Sequence, residues 1–504
     1  MNKQTIRLWV QGIRKYSLTF WHHLQTGATF CNNQLVRAIP HINQVIDRVV
    51  YLIGNDDTKK EAFLEKPHKL IGHYKDGFRF GDLATDQETS FRHAAIFGKT
   101  GSGKGVFFFE NNYLVERNAS MVIRDVPGDT TKASGFWYSV NYKTVVFNLT
   151  DALNKSTDTI NVIEGEMSKA DIGRVAEIIV GSIYKDKDFW VISATEACVI
   201  FLTILKTCVP DKYHNLHNLK FLITSYMADR NSLNEYVIDG SDELNVAFAA
   251  LCNTPEKSLM STMSTLKACF NNLDESTSLL TSCSTFKWQD IRTQKTVVVI
   301  QSSVMDDSYH TLVQNLIFSS LLRAMMVEIP SPTDLSVNIF LDEVTSLGAI
   351  GKTLETSYLN LRKYRCALAI GTQSKASLEG AFSKQIADSV TANSYARLYL
   401  PGMDLDTARY LEEYIGSHEV EKDDKTKKEE SIINTFSLRT MKNKGVLLLA
   451  DKPASIIPLK PYYKNYRMKK RLALPQPKLI YLKDKLSSIE IPTISLDITE
   501  TDNN

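Results

Sequence analysis

The stretch Gly98, Lys99, Thr100, Gly101, Ser102, Gly103, Lys104, Gly105 is the part of the chain best suited to hold phosphate. Glycines let the backbone curl until successive N–H groups point at one anion. The positive end of a following helix adds to that field, and the Lys104 ammonium can reach the β and γ phosphates of a nucleotide. The general pattern places Ser or Thr after the lysine, where its hydroxyl touches Mg²⁺; this chain has Gly105. A glycine-rich turn with no ligand would not need glycines and a lysine at these offsets.

Two further sites carry complementary chemistry. In VNIFLDEV an apolar run ends in Asp342 and Glu343. An acid at the C-terminal end of a strand beside the phosphate loop can hold the Mg²⁺ shell, and a neighbouring acid can polarise the attacking water. Asp342 is therefore the expected metal residue and Glu343 the expected base. CALAIGTQS delivers Gln373 to another strand end, where a neutral amide can bond a γ-phosphate oxygen and the water together. Taken singly, an exposed strand end explains Asp342 and Glu343, and a strand-capping amide explains Gln373; their joint presence with the loop favours ATP and Mg²⁺.

Such groups need a sheet to hold them. HAAIF, MVIR and TVVF read as strands alternating with helical segments over residues 67–165. Over 166–289 the β-branched runs give way to helical periodicity, as in SKADIGRVAEIIVGSIY and PEKSLMSTMSTLKACFNNL. Strands return over 290–471 in TVVVIQSS, VNIFLDE, CALAIGTQS, ARLYL and GVLLLA. The expected fold is α/β, a RecA-like P-loop NTPase domain with a mostly parallel central sheet, interrupted by an inserted all-α domain. Residues 1–66 form a basic leader, EVEKDDKTKKEE (419–430) a solvated charged loop, and 472–504 a peripheral tail. No internal repeat is visible.

Composition sets the bounds. A 504-residue chain that is 43% hydrophobic and 23% charged is an ordinary globular protein of two to four structural units, and its formal charge of +2 decides nothing about nucleic acid. The seven cysteines are scattered without metal-ligand spacing and read as reduced core residues. No h-region with a small-residue cleavage site begins the chain. The apolar run Trp190 to Leu205 carries Glu196 in its middle and reads as a buried helix too short to span a bilayer. The first fifty residues hold Lys3, Arg7, Arg14, Lys15, Arg37 and Arg48 against Asp47 alone, with Trp9, Tyr16, Phe20 and Trp21 interleaved. That pattern suits a membrane interface or, equally, a helix packed on the body.

These pieces, in this order, resemble the TraD/TraG-type coupling proteins of conjugation and type IV secretion. The matching residues are RFGDLAT (79–85), GKTGSGKG, DVPGD (125–129), the Phe189-Trp190 pair, FKWQDIRTQKTVVVIQSS, FLDEVTSLGAI, RKYRCALAIGTQSKASLEGAF and PLKPYY, which is similar to the family's closing strand. The resemblance accounts for Gly105, since TraG-like members carry glycine there. It implies an ATPase assembled as a hexamer that passes DNA, single-stranded and bound to a relaxase, to the channel of a type IV secretion system. It also implies an arginine finger at Arg362, with Arg365 as the alternative, and a place in the bacterial cytoplasm against the inner membrane. Members usually begin with two transmembrane helices, and none of adequate length precedes residue 67 here. KPYYKNYRMKKR (460–471) offers cations and tyrosines to a nucleic acid, or is a solvated edge. A secretion ATPase for protein effectors, an FtsK-like DNA pump and a non-catalytic ATP-dependent docking platform are the competing readings.

Overall fold

The computed structural model describes residues 63–72, 76–238, 240–421, 427–485 and 491–494. The chain divides after residue 62, and everything below belongs to the part that begins at Phe63. The basic aromatic leader expected over 1–66 thus lies, but for its last four residues, outside the described residues.

Nine strands form the central sheet: β1 (Ala94–Phe97), β2 (Ala119–Asp125), β3 (Lys143–Asn148), β4 (Thr296–Gln301), β5 (Ser336–Leu341), β6 (Cys366–Thr372), β7 (Ala396–Tyr399), β8 (Lys444–Leu449) and β9 (Ser455–Pro458). Their spatial order is β9-β8-β7-β1-β6-β5-β2-β4-β3. The seven from β7 to β3 run parallel, and β8 and β9 add an antiparallel border. The strands are mainly apolar because both faces of the sheet are covered. Ala95, Phe97, Val122, Val298, Ile300, Val337, Ile339, Leu368 and Ile370 enter one core. Their alternates Ala94, Ile96, Met121, Ile123, Val297, Val299, Phe340, Ala367 and Ala369 enter the other. In that second core the small Ala367 and Ala369 leave room for the ring cluster of Phe78, Phe108, Phe109, Tyr113 and Phe340.

Between β3 and β4 the described residues hold helices and no strand: α1 (Lys169–Gly181), α2 (Phe189–Thr207), α3 (Leu216–Ala228), α4 (Asp242–Cys252) and α5 (Glu256–Ala268) are the longest. Four of them start on a side-chain cap, with Ser168, Asp188, Asn215 and Ser241 each accepting an N–H bond from the third residue on. The helix α2 is 19 residues long and apolar enough to cross a membrane by length and composition. Its length therefore does not exclude a span, contrary to the expectation from the sequence. Ala194, Cys198, Phe201, Leu202 and Leu205 are buried in the same core as α1 and α5, and Glu196 is exposed.

Three expectations change. PLKPYY is mostly not a strand, because β9 ends at Pro458 and Tyr462–Lys464 form a 3₁₀ turn. The charged segment near 419–430 is flanked by an antiparallel pair, Ser417–Glu421 with Lys427–Ser431, whose register sets Glu421 opposite Lys427. The tail is not wholly peripheral: Leu482 and Ile494 are buried, and the Pro492 carbonyl accepts from Asn218 Nδ2 at 2.7 Å. Of the cysteines, Cys198, Cys269 and Cys366 are core residues, whereas Cys283 is exposed and Cys31 lies outside the described residues.

Candidate active site

The strand order decides the site. The central neighbours β1, β6 and β5 run parallel, so the loop after β1, Gln373 after β6 and Asp342 with Glu343 after β5 emerge side by side at one edge.

The loop needs its glycines. Gly101 and Gly103 adopt φ of +79° and +93°, where a Cβ is strained, and a Cβ on Gly98 would lie 2.3 Å from Ser102 Oγ. Gly105 has open space around it, so nothing steric demands glycine there. The helix that follows starts as a π-helical stretch, Gly105–Phe109, before Glu110–Tyr113, and the side chain of Lys104 at its N-cap position does not cap it. Its first N–H groups thus face the loop without a side-chain partner, as an anion site requires. Ser102 Oγ is buried with no partner inside the same loop. Lys99 and Thr100 are exposed.

Lys104 is buried and bends back over the loop, donating to the Gly98 carbonyl at 3.1 Å and to Glu343 Oε1 at 2.7 Å. Glu343 sits at φ +50°, ψ +50°, a left-handed conformation that costs a non-glycine residue on the order of 1 kcal/mol. Its N–H bonds Asp342 Oδ1 at 2.9 Å. Burial pushes the Asp342 carboxyl up to about 6; Lys104 pulls against that and Glu343 adds to it. A cation brought to Asp342 would reverse the shift.

Gly371 explains the small residue in CALAIGTQS. A Cβ there would meet Asp342 Oδ1 at 2.3 Å and the Phe109 ring at 2.9 Å, so β6 carries glycine where the carboxylate crosses it. Gln373 is exposed at the end of β6, between loop and acids. Arg362 is not brought to this edge. It lies exposed in the 3₁₀ turn Leu361–Tyr364 before β6, at the opposite end of the sheet, and depresses the buried imidazole of His93 there after desolvation. Arg365 donates to the Ser331 carbonyl at 2.9 Å, while the side chain of Arg362 has no hydrogen bond or ion pair among the described residues.

One motif quoted from the sequence gains a structural reason, and one residue escaped the sequence. DVPGD is a locked turn: Asp125 accepts from the N–H groups of Gly128 and Thr130 and from Gln301 Nε2, all within 3.1 Å. Arg124, the residue before it, is buried against the Asp342 carbonyl at 2.7 Å. Its signal was a cation closing the apolar run MVI.

The residues present fit a magnesium nucleotide: a loop with unpartnered donors, a lysine that can turn to phosphate, and a carboxylate of which one oxygen accepts no bond among the described residues. No cluster of three or more metal-ligating side chains exists among the described residues.

Known structures share this fold. Plasmid coupling protein TrwB in complex with the non-hydrolysable ATP analogue ADPNP is 15% identical with a TM-score of 0.64, covering 81% of this chain and 96% of that one. TrwB in complex with ADP and Mg²⁺ is 15% identical with a TM-score of 0.60, over 80% and 94%. The unbound monoclinic form of the conjugative coupling protein TrwBdeltaN70 is 16% identical at 0.64, over 81% and 96%. No curated protein sequence matches the chain. The family described as type IV secretory system conjugative DNA transfer matches residues 53–460, from before the described part of the chain to beyond β9. The chain belongs to that family, as a type IV secretion coupling protein with the RecA-like P-loop fold expected from its sequence.

Proposed function

We propose that the protein hydrolyses ATP and uses the energy to move DNA or a nucleoprotein into a type IV secretion channel. The observation that carries the hydrolytic part is the 2.7 Å ion pair between Lys104 and Glu343, beside Asp342. Without a nucleotide the lysine neutralises the base. When phosphates enter the loop, Lys104 turns to them, and Glu343 is released to orient and deprotonate the attacking water. Mg²⁺, held from Asp342, would neutralise charge on the β and γ oxygens. Gln373 fixes the water from the β6 side. Arg362 reaches the nucleotide of a neighbouring copy, so that hydrolysis needs a ring, a hexamer by family resemblance. Lys99, Thr100, Gly101, Ser102 and Gly103 line the phosphates, and Gly105 contributes backbone only.

DNA as the cargo is supported by one surface. Lys460, Lys464, Arg467, Lys469 and Lys470 are exposed and make no ion pair among the described residues, with Tyr463 and Tyr466 exposed between them at 49% and 79%. Arg467 lies close enough to Arg79 and Arg471 to help lower both of their pKa values, after desolvation. Unpaired cations with stacking rings suit a single strand. The relaxase on that strand, the channel components and attachment at the cytoplasmic face of the inner membrane complete the reading. Lys104→Ala and Glu343→Gln should each cut ATP turnover about 100-fold or more, measured with and without single-stranded DNA. Unchanged turnover would refute the motor; turnover indifferent to DNA would move the cargo to protein effectors.

A further inference from the structure

We infer that Arg124 is a positioning residue for Glu343, and that it ties the geometry of the proposed base to the loop between β4 and helix α6 (Thr311–Ala324). This rests on the reading of Glu343 as the base.

Arg124 lies on β2, paired in register with Leu341, the residue before Asp342. It is 2% exposed, and every nitrogen of its guanidinium is used. Nη1 donates to the Asp342 carbonyl at 2.7 Å and to the Glu343 carbonyl at 3.4 Å. Nη2 donates to both Asp307 oxygens at 2.8 and 2.7 Å and to Ser346 Oγ at 2.6 Å. Nε donates to Gln314 Oε1 at 2.9 Å. Ser346 Oγ in turn donates to the Glu343 carbonyl at 3.1 Å.

These bonds fall where β5 stops and the chain turns left-handed at Glu343. A carbonyl leaving a parallel sheet in an interior needs a donor, and Arg124 supplies one to each of the two residues in question. Stability alone would not select a buried cation there, since a buried ion pair is often matched by apolar side chains of similar volume. What the pair adds is direction: the planar fork fixes the backbone on which Glu343 turns.

The other end of the fork is held by the segment 303–310. Asp307 sits there, and Gln314 on α6 clamps it through Nε2 bonds to its carbonyl at 3.2 Å and to Oδ1 at 2.9 Å. The tip of the same segment exposes Val304 at 72% and Met305 at 92%. Displacing Asp307 releases Arg124, and with it the Asp342 and Glu343 carbonyls.

The experiment uses the full chain and steady-state ATP turnover. Asp307→Asn keeps the shape of the acid and removes its charge; Arg124→Lys keeps the charge and removes the fork. Each should lower kcat about tenfold or more while KM stays within about twofold, because phosphate binding is untouched and base alignment is lost. Combined with Glu343→Gln, the Asp307→Asn change should cost nothing further, since there is no base left to align. Thermal melting of Asp307→Asn should match the parent. A parental kcat in Asp307→Asn, a multiplied loss in the double variant, or a kcat loss that only follows a fall in Tm would each overturn the inference. If Glu343→Gln alone retained turnover, the base assignment itself would fail, a distinguishable result.

Discussion

The helices between β3 and β4 and the edge formed by β1, β6 and β5 obey local rules to different degrees. In the helical stretch, starts are closed by their own side chains: Ser168 and Asp171 form a reciprocal capping box, and Asp188, Asn215 and Ser241 cap α2, α3 and α4. At the edge, the helix after the loop has no side-chain cap, Ser102 Oγ has no partner, Lys104 is buried, and Glu343 is left-handed. Where helix starts are closed by their own side chains, their first N–H groups are not free for a ligand. Where donors and charges are held unsatisfied or strained, the surrounding fold bears the cost, which the proposed phosphate and metal would relieve.

Gly371→Ala should separate the two regions most clearly. The added methyl lands 2.3 Å from Asp342 Oδ1, so the carboxylate must shift by a large part of an ångström, and ATP turnover should fall about 100-fold. Intrinsic fluorescence of the fold should change little; a variant with parental turnover would mean that Asp342 is not held against β6.

Glu110 tests the same edge by pH. It is buried beside Lys132 at 3.4 Å, its Oε2 has no partner, and burial pushes its pKa up to about 7. A carboxyl raised from 4.5 to about 7 on folding binds its proton more tightly in the native state. Its ionisation therefore destabilises the fold above about pH 7, and the penalty disappears as pH falls toward 4.5. Glu110→Gln should be the more stable form at pH 8, by up to about 3 kcal/mol, and lose that advantage near pH 4.5. Urea unfolding at the two pH values measures it, and a pH-independent difference would contradict the burial effect.

Ser168→Ala removes the capping box of α1 and should cost about 1 kcal/mol, read as a lower Tm with ATP turnover unchanged. Lost turnover there would show the helical stretch to be more than scaffold. Smallest is Gly105→Ser: with open space at the Cβ position, a helical serine should gain about 0.5 kcal/mol and leave the loop intact. A large loss would show that glycine is needed for a reason other than space.

Much of this was legible in the chain. All eight strands expected from apolar runs lie in the sheet, because strands buried on both faces are apolar at most positions and bounded by polar residues. The chemistry-bearing residues were visible because phosphate binding needs glycines and a lysine at fixed offsets in one loop. Errors arose where composition was a poor guide to contact. The apolar run understated the length of α2, which reaches 19 residues, the charge of 419–430 hid a strand pair, and the polar tail gave no hint that Leu482 and Ile494 are buried.

By itself, then, the sequence determined which side chains and glycines have the chemistry proposed for phosphate and metal, since that chemistry belongs to side-chain type and to short-range backbone geometry. Only the tertiary structure decided that β6 lies between β1 and β5, and so that Lys104, 239 residues from Glu343 along the chain, rests on it at 2.7 Å. It likewise decided that Arg362 faces away from its own site and that Arg124 supports the backbone of Glu343. Strand order and the burial of a charge are settled by long-range packing, which local residue patterns do not record.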